Sequence, residues 1–74
     1  MLHLRSLWVT IRIVSEKTQL LDKLAANYGG RMQKQTIILP SKDKRRVYSF
    51  SSVKSKDMFL NDLSDIIGSG YTLL

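Results

Sequence analysis

The residues of this chain best equipped to do chemistry are its twelve lysines and arginines, and they are not spread evenly. The stretch Arg31–Lys56, RMQKQTIILPSKDKRRVYSFSSVKSK, holds eight of them and a single acid, Asp43, for a net charge of 8 − 1 = +7. The other 48 residues hold four basic and five acidic side chains, a net of −1. The whole formal charge of +6 therefore sits in about one third of the chain. Guanidinium and ammonium groups at that density hold polyanions, phosphate backbones above all. An acidic protein is the second class of partner they fit.

Bond-breaking chemistry has little to work with. The carboxylates are Glu16, Asp22, Asp43, Asp57, Asp62 and Asp65. Five fall on predicted helix caps or solvated helix faces and Asp43 falls in a turn among lysines, so no pair is set up for general acid and base work. There is no cysteine and one histidine, His3. That leaves no thiolate ligand or nucleophile, no nucleophile–base pair and no histidine metal site. The expectation is a non-enzyme without metal or cofactor. Gly29-Gly30 follows a predicted helix, and phosphate-cradling glycines precede one, so the pair reads as a helix stop.

The cations need elements to position them. Leu7–Val14 alternates, with Leu7, Val9, Ile11 and Ile13 on one face and Trp8, Thr10, Arg12 and Val14 on the other, which predicts a half-buried strand. Ser15 stands as an N-cap for a helix over about residues 16–28. The apolar stripe of that helix is Leu20, Leu21, Leu24, Ala25 and Tyr28. Arg31–Leu39 predicts a second strand, Pro40–Lys44 a turn and Arg45–Val53 a third strand. The second strand alternates imperfectly, Met32, Lys34, Thr36 and Ile38 against Gln33, Gln35, Ile37 and Leu39. In the third, Arg46, Tyr48 and Phe50 share a face. Ser55 is expected to cap a second helix with the stripe Phe59, Leu63, Ile66 and Ile67, ended by Gly68. The apolar tail Tyr71–Leu74 suits a short fourth strand.

The predicted order is β-α-β-β-α with a last β, a single α+β domain over residues 1–74 with a frayed start at 1–6. Two helices cover one face of one small antiparallel sheet, in a ferredoxin-like or LAGLIDADG-half-like arrangement, and the other face stays open. No apolar run approaches a membrane span and no signal-peptide pattern is present, so the expected location is cytoplasmic, without membrane contact. A free sheet edge or the apolar tail offers a route to a homodimer.

Two resemblances follow from these residues. Leu20–Met32, LLDKLAANYGGRM, resembles the second half of a LAGLIDADG homing-endonuclease core, with its LL-x-K-hydrophobic helix, an aromatic and a Gly-Gly step into a hairpin. RRVYSFSSVKSKDMFLNDL is similar to that family's basic strand and the Ser/Lys-rich helix start after it. The likeness spans about residues 11–67 and implies hairpins that form a DNA-binding sheet. The family's acidic catalytic helix is missing, and Leu63–Gly70, LSDIIGSG, has glycine where its metal-binding acid would stand. What is implied is DNA binding without cleavage, in a stand-alone protein of a phage or mobile element. The chain also looks like an RNA-recognition motif, with Leu7-Trp8-Val9 and Arg46–Ser51 at the two RNA-binding strands. It departs at Val47 and Ser49, which replace small glycine positions.

The two resemblances disagree over Tyr48 and Phe50, core in the first and exposed for base stacking in the second. Burial of an aromatic ring contributes about 2–3 kcal/mol, which a small domain cannot easily forgo, so both are expected in the core. Trp8 is expected to pack at the core edge or against the tail, ahead of standing exposed as a stacking platform. The nucleic-acid-binding set is Arg12, Arg31, Gln33, Lys34, Gln35, Lys42, Lys44, Arg45, Arg46, Ser49, Ser51 and Lys54. DNA ranks ahead of RNA.

Overall fold

The aliphatic face of the first strand decides where the core lies. In the computed structural model, which describes residues 7–74, β1 (Trp8–Ile13) buries Val9, Ile11 and Ile13 and turns Thr10 and Arg12 the other way. The expected fraying of residues 1–6, and His3 within them, lie outside the described residues. A short 3-10 turn (Ser15–Lys17) leads into α1 (Thr18–Asn27), followed by β2 (Arg31–Ile38), β3 (Asp43–Ser49), α2 (Val53–Ile66) and β4 (Tyr71–Leu73). All strand pairs are antiparallel and the sheet order is β2-β3-β1-β4. This is the ferredoxin-like split β-α-β order, and both helices pack on one face.

Leu21, Leu24 and Ala25 of α1, Phe59 and Leu63 of α2 and Ile67 at its C-cap meet β1 and the buried Tyr48 and Phe50. The ring of Phe59 stands edge-on to Tyr48 at 6.0 Å and tilts against Phe50 at 5.0 Å. Both third-strand aromatics are core residues, as the burial argument requires. Two residues of the predicted stripes are exposed: Leu20 and Ile66 lie on the flanks of their helices.

Both helix starts differ from expectation. Ser15 caps nothing. Val14 is extended ahead of the 3-10 turn without a side-chain cap, and the Thr18 hydroxyl donates to the Ser15 carbonyl at 2.9 Å. Lys17 has a structural use instead: its Nζ donates to the carbonyls of Ile67 at 2.8 Å and Ser69 at 2.7 Å, a cation on the orphan carbonyls at the end of α2. For α2 the cap is Ser52, three residues before the expected Ser55. Ser52 is extended (φ −150°, ψ 157°), its Oγ accepts from the Ser55 N–H, and its carbonyl accepts from the Lys56 N–H. Four serines stand at positions 49, 51, 52 and 55. Burial of Phe50 fixes where the chain leaves the sheet, and that choice selects the cap.

Gly29 and Gly30 close α1 as a Schellman motif: Gly30 N–H donates to Ala25 O at 2.8 Å and Gly29 N–H to Ala26 O at 3.0 Å, with Gly29 at φ 75°. Gly30 carries a further constraint, because a Cβ there would lie 2.7 Å from Cε2 of Phe50. Gly30→Ala is therefore expected to destabilise by about 1–3 kcal/mol through overpacking. Gly29→Ala, with nothing near its Cβ, is expected to cost only the left-handed backbone penalty of about 1 kcal/mol. Urea unfolding of the two variants measures the difference, and equal losses would refute the packing role.

Two strand boundaries also move. The hairpin turn occupies Leu39–Lys42, with Lys42 at φ 68° and a cis peptide before Pro40, so β3 starts at Asp43 rather than Arg45 and ends at Ser49. In β2 a β-bulge lies between Met32 and Lys34. It explains the imperfect alternation: the extra residue, Gln33, switches the faces.

Candidate nucleic-acid interface

Strand pairing assigns each cation to a face. β3 pairs Arg46 with Ile11 and Tyr48 with Val9, so these lie under the helices, while Arg45 pairs with Arg12, Val47 with Thr10 and Ser49 with Trp8 on the open face. On β2, Arg31 pairs with Ser49, Lys34 with Val47, Thr36 with Arg45 and Ile38 with Asp43, which puts all four on the open face. The four cations Arg12, Arg31, Lys34 and Arg45 thus share that face with one carboxylate, Asp43. Arg31, Lys34 and Arg45 are exposed.

The layers separate charge. Among the described residues, the sheet and its hairpin turn carry Arg12, Arg31, Lys34, Lys42, Lys44, Arg45 and Arg46 against Asp43, so 7 − 1 = +6. The helical layer, with its 3-10 turn, carries Lys17, Lys23, Lys54 and Lys56 against Glu16, Asp22, Asp57, Asp62 and Asp65, so 4 − 5 = −1.

The expected site residues divide accordingly. Arg31, Lys34, Arg45 and Ser49 come together on the open face, and Gln33 joins them from the bulge by donating from Nε2 to the Ser49 hydroxyl at 2.7 Å. Arg31, Ser49 and Ser51 line a hollow of about 400 Å³ at the end of the sheet, with Gly29 and Phe50. Lys42 is exposed at the hairpin tip. Arg12 is on the face but engaged: its Nε donates to Asp43 Oδ2 at 2.9 Å and its Nη2 to the Ser41 hydroxyl at 3.3 Å, which ties β1 to the turn. Gln35 and Lys44 are on the helix side, where they line a groove of about 390 Å³ with Thr36, Ile37 and Arg46. The bulge put Gln35 there, against the expectation from plain alternation. Lys54 is exposed in the first turn of α2, apart from the sheet cations.

Arg46 leaves the set. It is 7% exposed, and its Nε donates to Asp22 Oδ1 at 3.2 Å; the buried Tyr48 hydroxyl donates to the same oxygen. One carboxylate on α1 satisfies two groups of β3 that the helix layer covers, so Arg46 is part of the core's polar margin. Burial, and then the bond to Asp22, keep the Tyr48 phenol protonated well above its usual 10.0. Tyr28 is also raised, chiefly by donating to the Asp62 carboxylate across the two helices.

A phenol with a higher pKa folded than unfolded stabilises the fold fully below the unfolded value and progressively less above it. Stability is therefore expected to fall as pH rises past about 10, where unfolded tyrosine ionises. Tyrosinate absorbance and circular dichroism followed together check this. Ionisation of Tyr48 should coincide with unfolding, and its ionisation in a folded protein would contradict the burial.

Trp8 corrects an expectation. It is 57% exposed on the open face. It pairs with Ser49 of β3. Thr10, Thr36 and Thr72 complete the face with hydroxyls. The sequence signal that could have found Thr36 is the break in alternation at Gln33. Among the described residues no cluster of His, Cys, Asp or Glu is placed to hold a metal ion, and no helix is long and apolar enough to cross a membrane. Comparison with protein-family models, curated proteins and solved structures finds no match to this chain.

Proposed function

We propose that the protein is a small non-catalytic nucleic-acid-binding domain that lays its open sheet face and hairpin tip on phosphate backbones. The observation that carries this reading is the charge separation between layers, with Arg31, Lys34 and Arg45 exposed on the one face that no helix covers. Guanidinium and ammonium groups there, with Lys42 at the tip, supply sequence-independent affinity. Gln33, Ser49, Thr36 and Thr10 are side chains able to donate to phosphates and base edges. DNA ranks ahead of RNA. Tyr48 and Phe50 lie in the core, so among the described residues Trp8 is the one aromatic ring on the face, and base-by-base stacking of a single strand has little to build on.

Titration of labelled duplex DNA, single-stranded DNA and RNA at two salt concentrations tests the reading. Expected are tightest binding to duplex DNA and a steep loss of affinity with salt. Absence of binding to all three at low salt would sink it and leave docking on an acidic protein as the use of these cations.

A further inference from the structure

β2 ends the sheet, and the ladder shows which of its backbone groups are left over. Phe50 N–H donates to Leu7 O at 2.9 Å, and β1 then pairs at alternate positions with Tyr48, Arg46 and Lys44. In an antiparallel ladder the intervening residues turn their backbone groups the other way. Asp43, Arg45, Val47 and Ser49 thus bond to Ile38, Thr36, Lys34 and Arg31 of β2. Gln35 and Ile37 consequently point their N–H and C=O groups at the free edge.

The two halves of that edge are built differently. Arg31–Lys34 carries two cations and the bulge, devices that discourage pairing with another strand. Gln35–Leu39, QTIIL, has neither charge nor bulge and is rich in residues that favour strands. Within it Ile37 is 58% and Leu39 72% exposed. Ile37 borders the helix-side groove that α1 leaves uncovered.

We propose that this half-edge pairs with the same segment of a second copy, antiparallel about a two-fold axis at Thr36. The pattern is self-complementary in that register. Gln35 falls opposite the partner's Ile37, so the outward-pointing groups of both copies meet. Lys34 falls opposite the partner's Ile38 and Thr36 opposite itself, so no cation opposes a cation. The two Ile37 side chains become diagonal neighbours at about 7–8 Å and cover each other on the helix side. A foreign acidic strand would draw its charge pairing from Arg31 and Lys34, which sit where the bulge makes the ladder irregular. The second copy uses the regular half. The product is one continuous sheet with both open basic faces on the same side.

Sedimentation equilibrium of the full chain at low and high salt tests this. Two chains of +6 repel, so the dimer is expected to tighten as salt rises. Nucleic-acid binding weakens with salt, so either reading can fail while the other stands. Gln35→Pro removes an edge N–H that β3 does not use and is expected to weaken the dimer roughly 30-fold, one bond lost per copy. Thr36→Lys sets like charges on the axis at an exposed position and should also favour monomer, with circular dichroism confirming that both variants are folded. A folded wild-type chain that stays monomeric at high salt overturns the proposal. So does a dimer indifferent to both substitutions, and so does a monomer that captures an acidic strand peptide instead.

Discussion

Asp22→Ala is expected to destabilise the fold by about 2–3 kcal/mol. The carboxylate takes bonds from Arg46 Nε at 3.2 Å and from the Tyr48 hydroxyl. Removing it strands a guanidinium whose side chain is 9% exposed, together with a phenol in the core. Breaking a fully buried pair costs about 3–5 kcal/mol, because the remaining charge is left in a poor solvent. The Asp22 side chain is 39% exposed, so water screens part of the interaction and the lower figure applies. In a domain of this size each kcal/mol lowers Tm by about 4–8 °C, and a total stability near the low end of the usual range makes the loss a large fraction of the whole. The triple variant Asp22→Ala, Arg46→Met, Tyr48→Phe separates the cause, since it removes the stranded groups along with the carboxylate. It should recover much of the loss. Thermal unfolding of both variants is the measurement. A single variant within a degree or two of wild type would show that the cluster is solvated and does not contribute.

The second large effect belongs to the proposed interface. Arg31, Lys34 and Arg45 changed together to Gln should leave the fold intact, since all three are exposed on the open face. Each phosphate contact contributes a slope of about −0.9 to the dependence of log K on log salt. Losing three contacts should flatten that slope by about 3 and weaken DNA binding by about 10² to 10³ near 0.1 M salt. Arg46→Met is the contrasting case, a basic residue in the same strand that points under the helices. It should affect stability and leave the salt slope nearly unchanged. If the slope instead follows Arg46, or is untouched by the three exposed cations, the open face is not where DNA binds.

Local physics in the chain is enough for the order of elements. Alternation from Leu7 to Val14, the stripe Leu20, Leu21, Leu24, Ala25, Tyr28, the stripe Phe59, Leu63, Ile66, Ile67 and the Gly-Gly stop each act within a few turns or one strand. Together they specify two helices on one antiparallel sheet. The charge asymmetry is equally legible, because it needs only counting. Burial of Tyr48 and Phe50 follows from a size argument: a small core cannot forgo two rings.

Other features depend on contacts between residues far apart in the chain. Arg46 reads as one more cation of the run Lys44–Arg46 until α1 brings Asp22, 24 positions away, onto its guanidinium. Gln35 reads as an open-face residue until the bulge at Gln33 turns it toward the helix side. Trp8 reads as a core-edge residue until strand register sets it beside Ser49 on the open face, more than half exposed. Lys17 carries no signal of its use in the local sequence, and only the arrival of the end of α2 gives it carbonyls to bond. In each case the side chain's type was known and its neighbour was not. Arg31–Lys56 was basic from its composition alone. Strand register and helix placement, which are long-range, selected the three cations that stand exposed on its open face and withdrew Arg46 into the fold.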